Sequence, residues 1–124
     1  MRLLALIVLL LFSPSAFAGG NEPSQEALDQ GAALYQSRCG GCHSVDKNRI
    51  GPRHSGVYGR RAGSLSDYKY SKALASSEII WDDTTLDAWL TNPGALVPGQ
   101  KMGFRLRSEE ERTAIIAYLK SVSQ

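Results

Sequence analysis

Two cysteines and a histidine stand together in residues 39–43, and this short group constrains the chain more than any other feature. Cys39 and Cys42 are separated by two glycines, and His43 follows at once. This spacing is the attachment signature of a c-type haem. Each thiol can form a thioether with one haem vinyl group, while the adjacent imidazole reaches the iron. The motif therefore predicts one haem c, bound covalently through Cys39 and Cys42 and ligated by His43.

Two other uses of a Cys-x-x-Cys pair have to be weighed against haem attachment. A thioredoxin-like dithiol is expected beside a strand in a βαβ unit, and no strand pattern precedes Cys39. A structural zinc would need Cys39, Cys42, His43 and His54 as ligands, at spacings tighter than those of the usual zinc fingers. The context of the motif favours haem.

The first 18 residues have the pattern of an export signal. Arg2 supplies a positive charge, residues 3–12 form an apolar run, and residues 16–18 offer a small-x-small cleavage site. The run is shorter than the about 20 residues of a membrane-spanning helix. We therefore expect a signal peptide at residues 1–18, cleaved after Ala18, and a single domain at residues 19–124. The protein would then be periplasmic, without stable membrane insertion; an uncleaved anchor is the alternative.

The charge balance excludes the usual pattern of a nucleic-acid-binding protein. Fourteen lysines and arginines face 12 acidic residues, for a net charge of +2 at pH 7. The basic residues form no long run. Both cysteines lie inside the haem motif, so no disulfide framework is available.

Hydrophobic periodicity predicts an all-α fold of about four to five short helices, with long loops that would wrap around one haem. The first predicted helix spans residues 25–38 with Ser24 as N-cap, and a short helix follows within residues 68–77. A third helix is predicted at about residues 84–91, capped by Asp83 or Thr84. The last helix begins with a capping box at residues 108–111 and runs to about Ser121. Residues 44–64 and 93–104 are predicted loops. Loops of this length are unusual in a small domain unless they enclose a ligand, and a bound haem would be that ligand.

Met102 is the candidate for the second axial ligand. It is the only methionine outside the signal, and it lies in a loop rich in proline and glycine. A thioether is a soft, neutral ligand that raises the reduction potential. His54 is the alternative ligand, but it follows Pro52 on the segment leaving His43, so we expect it on the His43 side. An imidazole there would make the potential pH-dependent between about pH 5 and 8.

Closure of both axial positions determines the predicted function. Iron without an open position cannot bind substrate or peroxide, so we expect a one-electron carrier and not an enzyme. Peroxidase-like activity would require Met102 to leave the iron.

Further motifs continue the pattern over essentially the whole mature chain. They occupy residues 51–52, 56–60, 68–71, 81, 85–86, 89–90, 92–93, 98–102 and 116–119. Together with the haem motif, they make the sequence similar to class I cytochromes c, of the mitochondrial cytochrome c and bacterial cytochrome c2 type. His54 departs from this family, which usually has an apolar residue at that position. Leu74 and Gln100 also differ from the residues that are usual in the family.

The resemblance implies the small cytochrome c fold and gives roles to the matching residues. Cys39 and Cys42 carry the haem, and His43 and Met102 ligate its iron. The Pro52 carbonyl accepts a hydrogen bond from the second nitrogen of His43. Three further side chains would hold a buried haem propionate: Arg60, Tyr70 and Trp81. The resemblance also places the crossing of the first and last helices at Gly31 and Tyr118.

Basic residues flank the two segments that carry the ligands: Lys47, Lys101, Arg105 and Arg107. We expect redox protein partners to dock at the exposed haem edge between them, with ordinary surface charge as the alternative. The predicted function is a soluble, monomeric electron shuttle between respiratory or photosynthetic complexes. The alternative is a dedicated electron-accepting subunit of a periplasmic dehydrogenase.

Overall fold

The computed structural model describes residue 20 and residues 22–124 as an all-α fold with five helices. In chain order these are α1 (Gln25–Arg38), α2 (Lys72–Ala75), α3 (Asp83–Thr91), α4 (Pro93–Leu96) and α5 (Glu109–Ser121). The β pairing among the described residues is limited to an isolated bridge between Arg61 and Ile80. The predicted fold class is confirmed. The predicted signal peptide at residues 1–18 lies outside the described residues.

The N- and C-terminal helices pack against each other at a point where only glycine fits. Gly31 of α1 is buried, and a Cβ there would overlap the backbone carbonyl of Ala114 in α5 and lie 3.0 Å from Cβ of Tyr118. At the C-terminal end of α1, Arg38 donates two hydrogen bonds to the Glu111 carboxylate, at 3.1 and 2.7 Å. The contact expected between Gly31 and Tyr118 is present.

The helix caps agree with the sequence pattern in part. Ser24 and Ser108 are the N-caps of α1 and α5, as predicted. The prediction for α3 is wrong, because its N-cap is Asp82, whose carboxylate accepts from the Thr85 N–H while the Thr85 hydroxyl accepts from the Asp82 N–H. Position 85 completes a reciprocal box only when position 82 is the cap. In α5 the Ser108 half of the box is present, and Glu111 pairs with Arg38.

The short helix α4 was expected to be loop. Asn92 ends α3 with its backbone and starts α4 with its side chain, which accepts from the Ala95 N–H at 3.3 Å. Pro93 occupies the first helical position, where its missing N–H costs no hydrogen bond. The Asn-Pro pair therefore ends one helix and also begins another. The helix predicted within residues 68–77 is the single turn α2, capped by Ser71.

Three helices and the loops between them share one apolar core. Its buried members are Tyr35, Val57, Ala62, Trp81, Leu86, Trp89, Leu90, Val97, Leu106, Ile115, Ile116 and Leu119. The connection from α1 to α2 and the connection from α4 to α5 both contribute to the lining of one large cavity beside this core. Among residues 22–124, none of the helices is long and apolar enough to cross a membrane.

The helix crossing predicts that a larger side chain at Gly31 is costly. We expect Gly31→Val to lower the free energy of unfolding by about 1–3 kcal/mol, because the new side chain must displace the α5 backbone. Ala33→Val is the matched control, since Ala33 is exposed on the same helix. It should cost only about 0.5 kcal/mol of helix propensity. Chemical denaturation of the holoprotein gives both values, and equal costs at the two positions would contradict a tight crossing.

Candidate haem site

The Cys-x-x-Cys-His motif begins where α1 ends. Cys39 is the C-cap of this helix, and its N–H donates to the Tyr35 carbonyl at 2.8 Å. The chain then turns back on itself, because the N–H groups of Cys42 and His43 both donate to the Cys39 carbonyl, at 3.1 and 2.9 Å. The helix end therefore fixes the position of the whole motif.

Both cysteines are free thiols on the lining of the cavity. Cys42 is exposed, while Cys39 is half-buried and contacts the core. Burial, with a smaller contribution from the charge of Cys42, raises the pKa of the Cys39 thiol to about 11. Two uncrosslinked thiols facing one cavity meet the requirement for forming two thioethers with a single macrocycle.

Arg49 holds the turn between the cysteines, and sequence reasoning missed it. Its guanidinium donates to the carbonyl of Gly40 and, at 3.1 Å, to that of His43. The Gly51 N–H donates to the Cys42 carbonyl at 2.9 Å. These bonds tie the motif to the loop that follows it. The number of basic residues in that loop was visible in the sequence, but the carbonyl groups they reach were not.

The ring of His43 is fixed by a hydrogen bond to the backbone. Its Nδ1 donates to the Pro52 carbonyl at 2.8 Å, because a carbonyl oxygen can only accept. This tautomer leaves a lone pair on Nε2, the atom that could ligate a metal. Gly51 lies against the ring, so closely that a Cβ at that position would overlap it. Desolvation lowers the pKa of His43, which favours the neutral ring that ligation requires.

His54 lies directly beside His43, which confirms the prediction that it stays on the His43 side. The two rings stack with centroids 4.1 Å apart and an interplanar angle of 21°. The Tyr35 hydroxyl is 3.0 Å from Nδ1 of His54. Burial above all, and then the charge of the neighbouring His43, lowers the pKa of His54 to about 3. A pKa this low argues against titration of this imidazole between about pH 5 and 8, because the loss of hydration is larger than a sequence can indicate.

Met102 lies in the loop between α4 and α5 and lines the same cavity as His43. The side chain of Gln100 braces it: its amide donates to the Met102 carbonyl at 2.8 Å, and its carbonyl oxygen accepts from the Met102 N–H. A glutamine can make both bonds because its amide carries a donor and an acceptor. Sequence reasoning treated Gln100 only as a departure from the family and missed this role.

The three side chains predicted to hold a propionate lie on the lining of this cavity: Arg60, Tyr70 and Trp81. The Arg60 guanidinium donates to the carbonyls of Ser55 and Arg53, at 2.9 and 3.1 Å. Its remaining N–H groups leave it able to bind a carboxylate. Desolvation lowers the pKa of Arg60 and raises the pKa of Tyr70. Two donors in a partly dry environment suit an anionic group.

The cavity as a whole fits a haem. Its volume is about 450 Å³, and it combines both thiols, the imidazole and the thioether with apolar walls. The apolar lining includes Ile50, Val57, Leu74, Trp81, Leu86, Trp89, Leu90, Phe104, Ile115 and Leu119. The zinc alternative has no such support, since the described residues contain no cluster of three or more metal-binding side chains.

Two of the lining residues are exposed hydrophobic side chains. Ile50 is 75% exposed and Phe104 is 40% exposed. Ile50 lies in the loop that follows the His43 motif, and Phe104 lies in the loop that carries Met102. Large exposed apolar groups beside a binding cavity are typical of a surface that makes contact with a partner or ligand.

Comparison with known proteins agrees with this site. The family described as cytochrome c matches residues 28–123. Cytochrome c of Euglena viridis is 42% identical over 97 residues, which cover 76% of this chain and 95% of that protein. Cytochrome c2 iso-2 of Magnetospirillum fulvum is 46% identical over 87 residues, covering 68% of this chain and 91% of that protein. With its thiols, imidazole and thioether on one haem-sized cavity, the chain belongs to the class I c-type cytochrome family.

Proposed function

We propose that His43 and Met102 are the two axial ligands of the haem iron and leave it no open position. Members of this family carry electrons and are not enzymes, and this chain holds haem c through Cys39 and Cys42. The bound haem supplies a one-electron couple at its iron. The observation that carries the ligation proposal is the hydrogen bond from Nδ1 of His43 to Pro52, which commits one nitrogen of the ring and leaves the other free for the metal.

The loop that carries Met102 is held in position on both sides of this residue. Gln100 braces its backbone, as described above. Further along, the Leu106 N–H donates to the Leu90 carbonyl of α3 at 2.8 Å. The loop therefore starts beside α4 and is fixed to α3 again four residues after Met102. A thioether on such a segment is held ready to bind, so less entropy is lost on ligation.

Arg112 of α5 anchors the end of the same loop. It is only 8% exposed, and it donates to the carbonyls of Leu106 and Arg107, at 3.0 and 2.9 Å. Its Nε donates to the Asp87 carboxylate of α3 at 2.7 Å. A buried guanidinium with these partners joins α3, α5 and the Met102 loop, which stabilises the loop against the opening that peroxidase-like activity would require.

Arg60, Tyr70 and Trp81 are proposed to hold a haem propionate. The backbone N–H of Trp81 donates to the backbone carbonyl of Arg60 at 3.0 Å, which keeps the two residues adjacent. Arg60 can offer charge, Tyr70 a hydroxyl and Trp81 an indole N–H to one carboxylate. Paired in this way, a propionate can be buried without remaining an isolated charge.

Export to the periplasm is proposed from residues 1–18. The basic residue, the short apolar run and the small residues before Gly19 form a signal pattern. Cleavage after Ala18 would leave a mature domain at residues 19–124, a range that includes the whole family match at residues 28–123.

Docking of redox partners is proposed at the mouth of the cavity. The family acts with redox partners. Lys101 and Phe104 are exposed residues on the lining of the cavity, and Lys47 and Arg105 are exposed on the two adjoining loops. An apolar centre with basic residues around it suits an acidic partner that binds briefly. Relatives described as cytochrome c and cytochrome c2 favour a mobile respiratory or photosynthetic shuttle over a dehydrogenase subunit.

The ligation proposal predicts different results for two leucine substitutions. Met102→Leu should abolish the thioether-to-iron charge-transfer band of the oxidised protein. It should also lower the reduction potential by on the order of 0.1 V or more, within the range that axial ligands span. His54→Leu, of similar bulk, should keep the band because His54 lies on the His43 side. A visible spectrum and a redox titration measure both effects. A parent protein without the band, whose potential changes in His54→Leu and not in Met102→Leu, would instead assign the ligand to His54.

The export proposal predicts the N-terminus of the mature protein. Intact mass and N-terminal sequencing of the holoprotein from a periplasmic fraction should show a chain that begins at Gly19. Changing Ala16 and Ala18 to large residues should block this processing, because the peptidase requires small residues there. A native chain that retains residues 1–18 in the membrane fraction would instead support the anchor.

The docking proposal predicts a salt-dependent effect of charge reversal. Lys101→Glu should slow electron transfer to an acidic partner protein several-fold at low ionic strength. The difference should shrink as salt screens it, with a Debye length of about 8 Å at physiological ionic strength. Lys120→Glu is the matched control, because Lys120 lies near the end of α5 and is not on the cavity lining. Equal slowing by both variants would reduce the effect to net charge and reject a defined docking surface.

A further inference from the structure

We propose that His54 is a positioning residue for the ring of His43, and that the Tyr35 hydroxyl holds His54 in place. In this arrangement His54 sets the rotational orientation of the axial imidazole on the haem. The proposal rests on the proposed ligation by His43. It assigns a role to a residue that the ligand set, the propionate contacts and the docking surface do not use.

The contact between the two imidazoles is direct and ordered. Their centroids are 4.1 Å apart and their planes differ by 21°, so the rings lie nearly parallel. The backbone keeps them together as well, because the His54 N–H donates to the Ser44 carbonyl at 3.1 Å, one residue after His43. Rotation of the His43 ring would break this stack. Pro52 fixes one ring atom by a single hydrogen bond, and His54 adds a contact over the plane of the ring.

His54 is itself restrained by α1. Its Nδ1 lies 3.0 Å from the Tyr35 hydroxyl, and the two rings meet edge to face with centroids 5.6 Å apart. Tyr35 is only 4% exposed and packs on Tyr118 of α5, at 5.2 Å between centroids. Tyr118 borders Gly31 at the helix crossing. The orientation of the His43 ring is therefore linked, through His54, to the packed helices α1 and α5 by the side chains of Tyr35 and Tyr118.

A simpler account would make His54 a space-filling residue. An imidazole is a poor choice for that purpose, because burial without hydrogen bonds leaves its polar nitrogens unpaired. Here the Tyr35 hydroxyl satisfies one of them, and a tyrosine hydroxyl in turn needs a partner when buried. The pair is mutually dependent, which permits an experiment that separates the hydrogen bond from the bulk of the ring.

The experiment uses the ferric holoprotein with Tyr35→Phe, His54→Phe and the double substitution. Tyr35→Phe removes only the hydroxyl, while His54→Phe keeps an aromatic ring on His43 and removes Nδ1. Proton NMR of the paramagnetic protein reports the spread of the haem methyl resonances, which depends on the orientation of the axial imidazole. Tyr58→Phe is the matched control, since it removes a hydroxyl that donates to Asp83 at an exposed site.

We expect Tyr35→Phe and His54→Phe to shift the methyl pattern in the same direction, and Tyr58→Phe to leave it unchanged. The double variant should match His54→Phe, because the hydrogen bond needs both partners. Tyr35→Phe should also lower the equilibrium constant for folding by about tenfold, because a buried nitrogen loses its hydrogen-bond partner.

Two results would overturn the proposal, and they are distinguishable. Methyl patterns that superimpose on the parent protein, with only stability reduced, would show that His54 acts by packing alone. This result would leave the ligation intact, provided that the ring protons of His43 are hyperfine-shifted in the parent protein. Unshifted His43 protons in the parent would instead reject ligation by His43, and the positioning role with it.

Discussion

The hydrogen bond from His43 to the Pro52 carbonyl is the constraint on which the rest of the site depends. It decides which nitrogen of the imidazole carries the proton and therefore which one is free. A backbone acceptor cannot rotate away as a side chain could, and a Cβ at the neighbouring Gly51 would overlap the ring. The loop after the motif is shaped by this contact. Its glycine and proline permit the imidazole and the backbone to approach as closely as they do.

The fold supplies this geometry with little regular structure. α1 ends at the first thiol, and its crossing with α5 at Gly31 gives the loops a fixed frame. The loop that carries Met102 is tied to that frame through Arg112 and the α3 backbone. The long connections are ordered because they line the cavity, and a bound macrocycle would add a large apolar surface to the small core. Cofactor binding and folding are therefore expected to support each other.

Local patterns in the sequence predicted the features that depend on neighbouring residues. The haem motif, α1 with its cap and the all-α class are of this kind, because spacing and capping chemistry act within a few positions. What escaped prediction depends on groups distant in the chain or on burial. Arg49 and Gln100 act on backbone groups that only the folded loops bring near, and the environment of His54 follows from its desolvation. The helix α4 was missed because a proline that ends one helix can also begin the next.

The central claim is that His43 and Met102 close the haem from its two sides. The most direct test is proton NMR of the reduced, diamagnetic holoprotein, because protons held over the face of the macrocycle are shifted far upfield by its ring current. The account predicts that the Met102 methyl and the ring protons of His43 are both shifted in this way. A Met102 methyl at the position of an ordinary methionine, with only the His43 protons shifted, would contradict it.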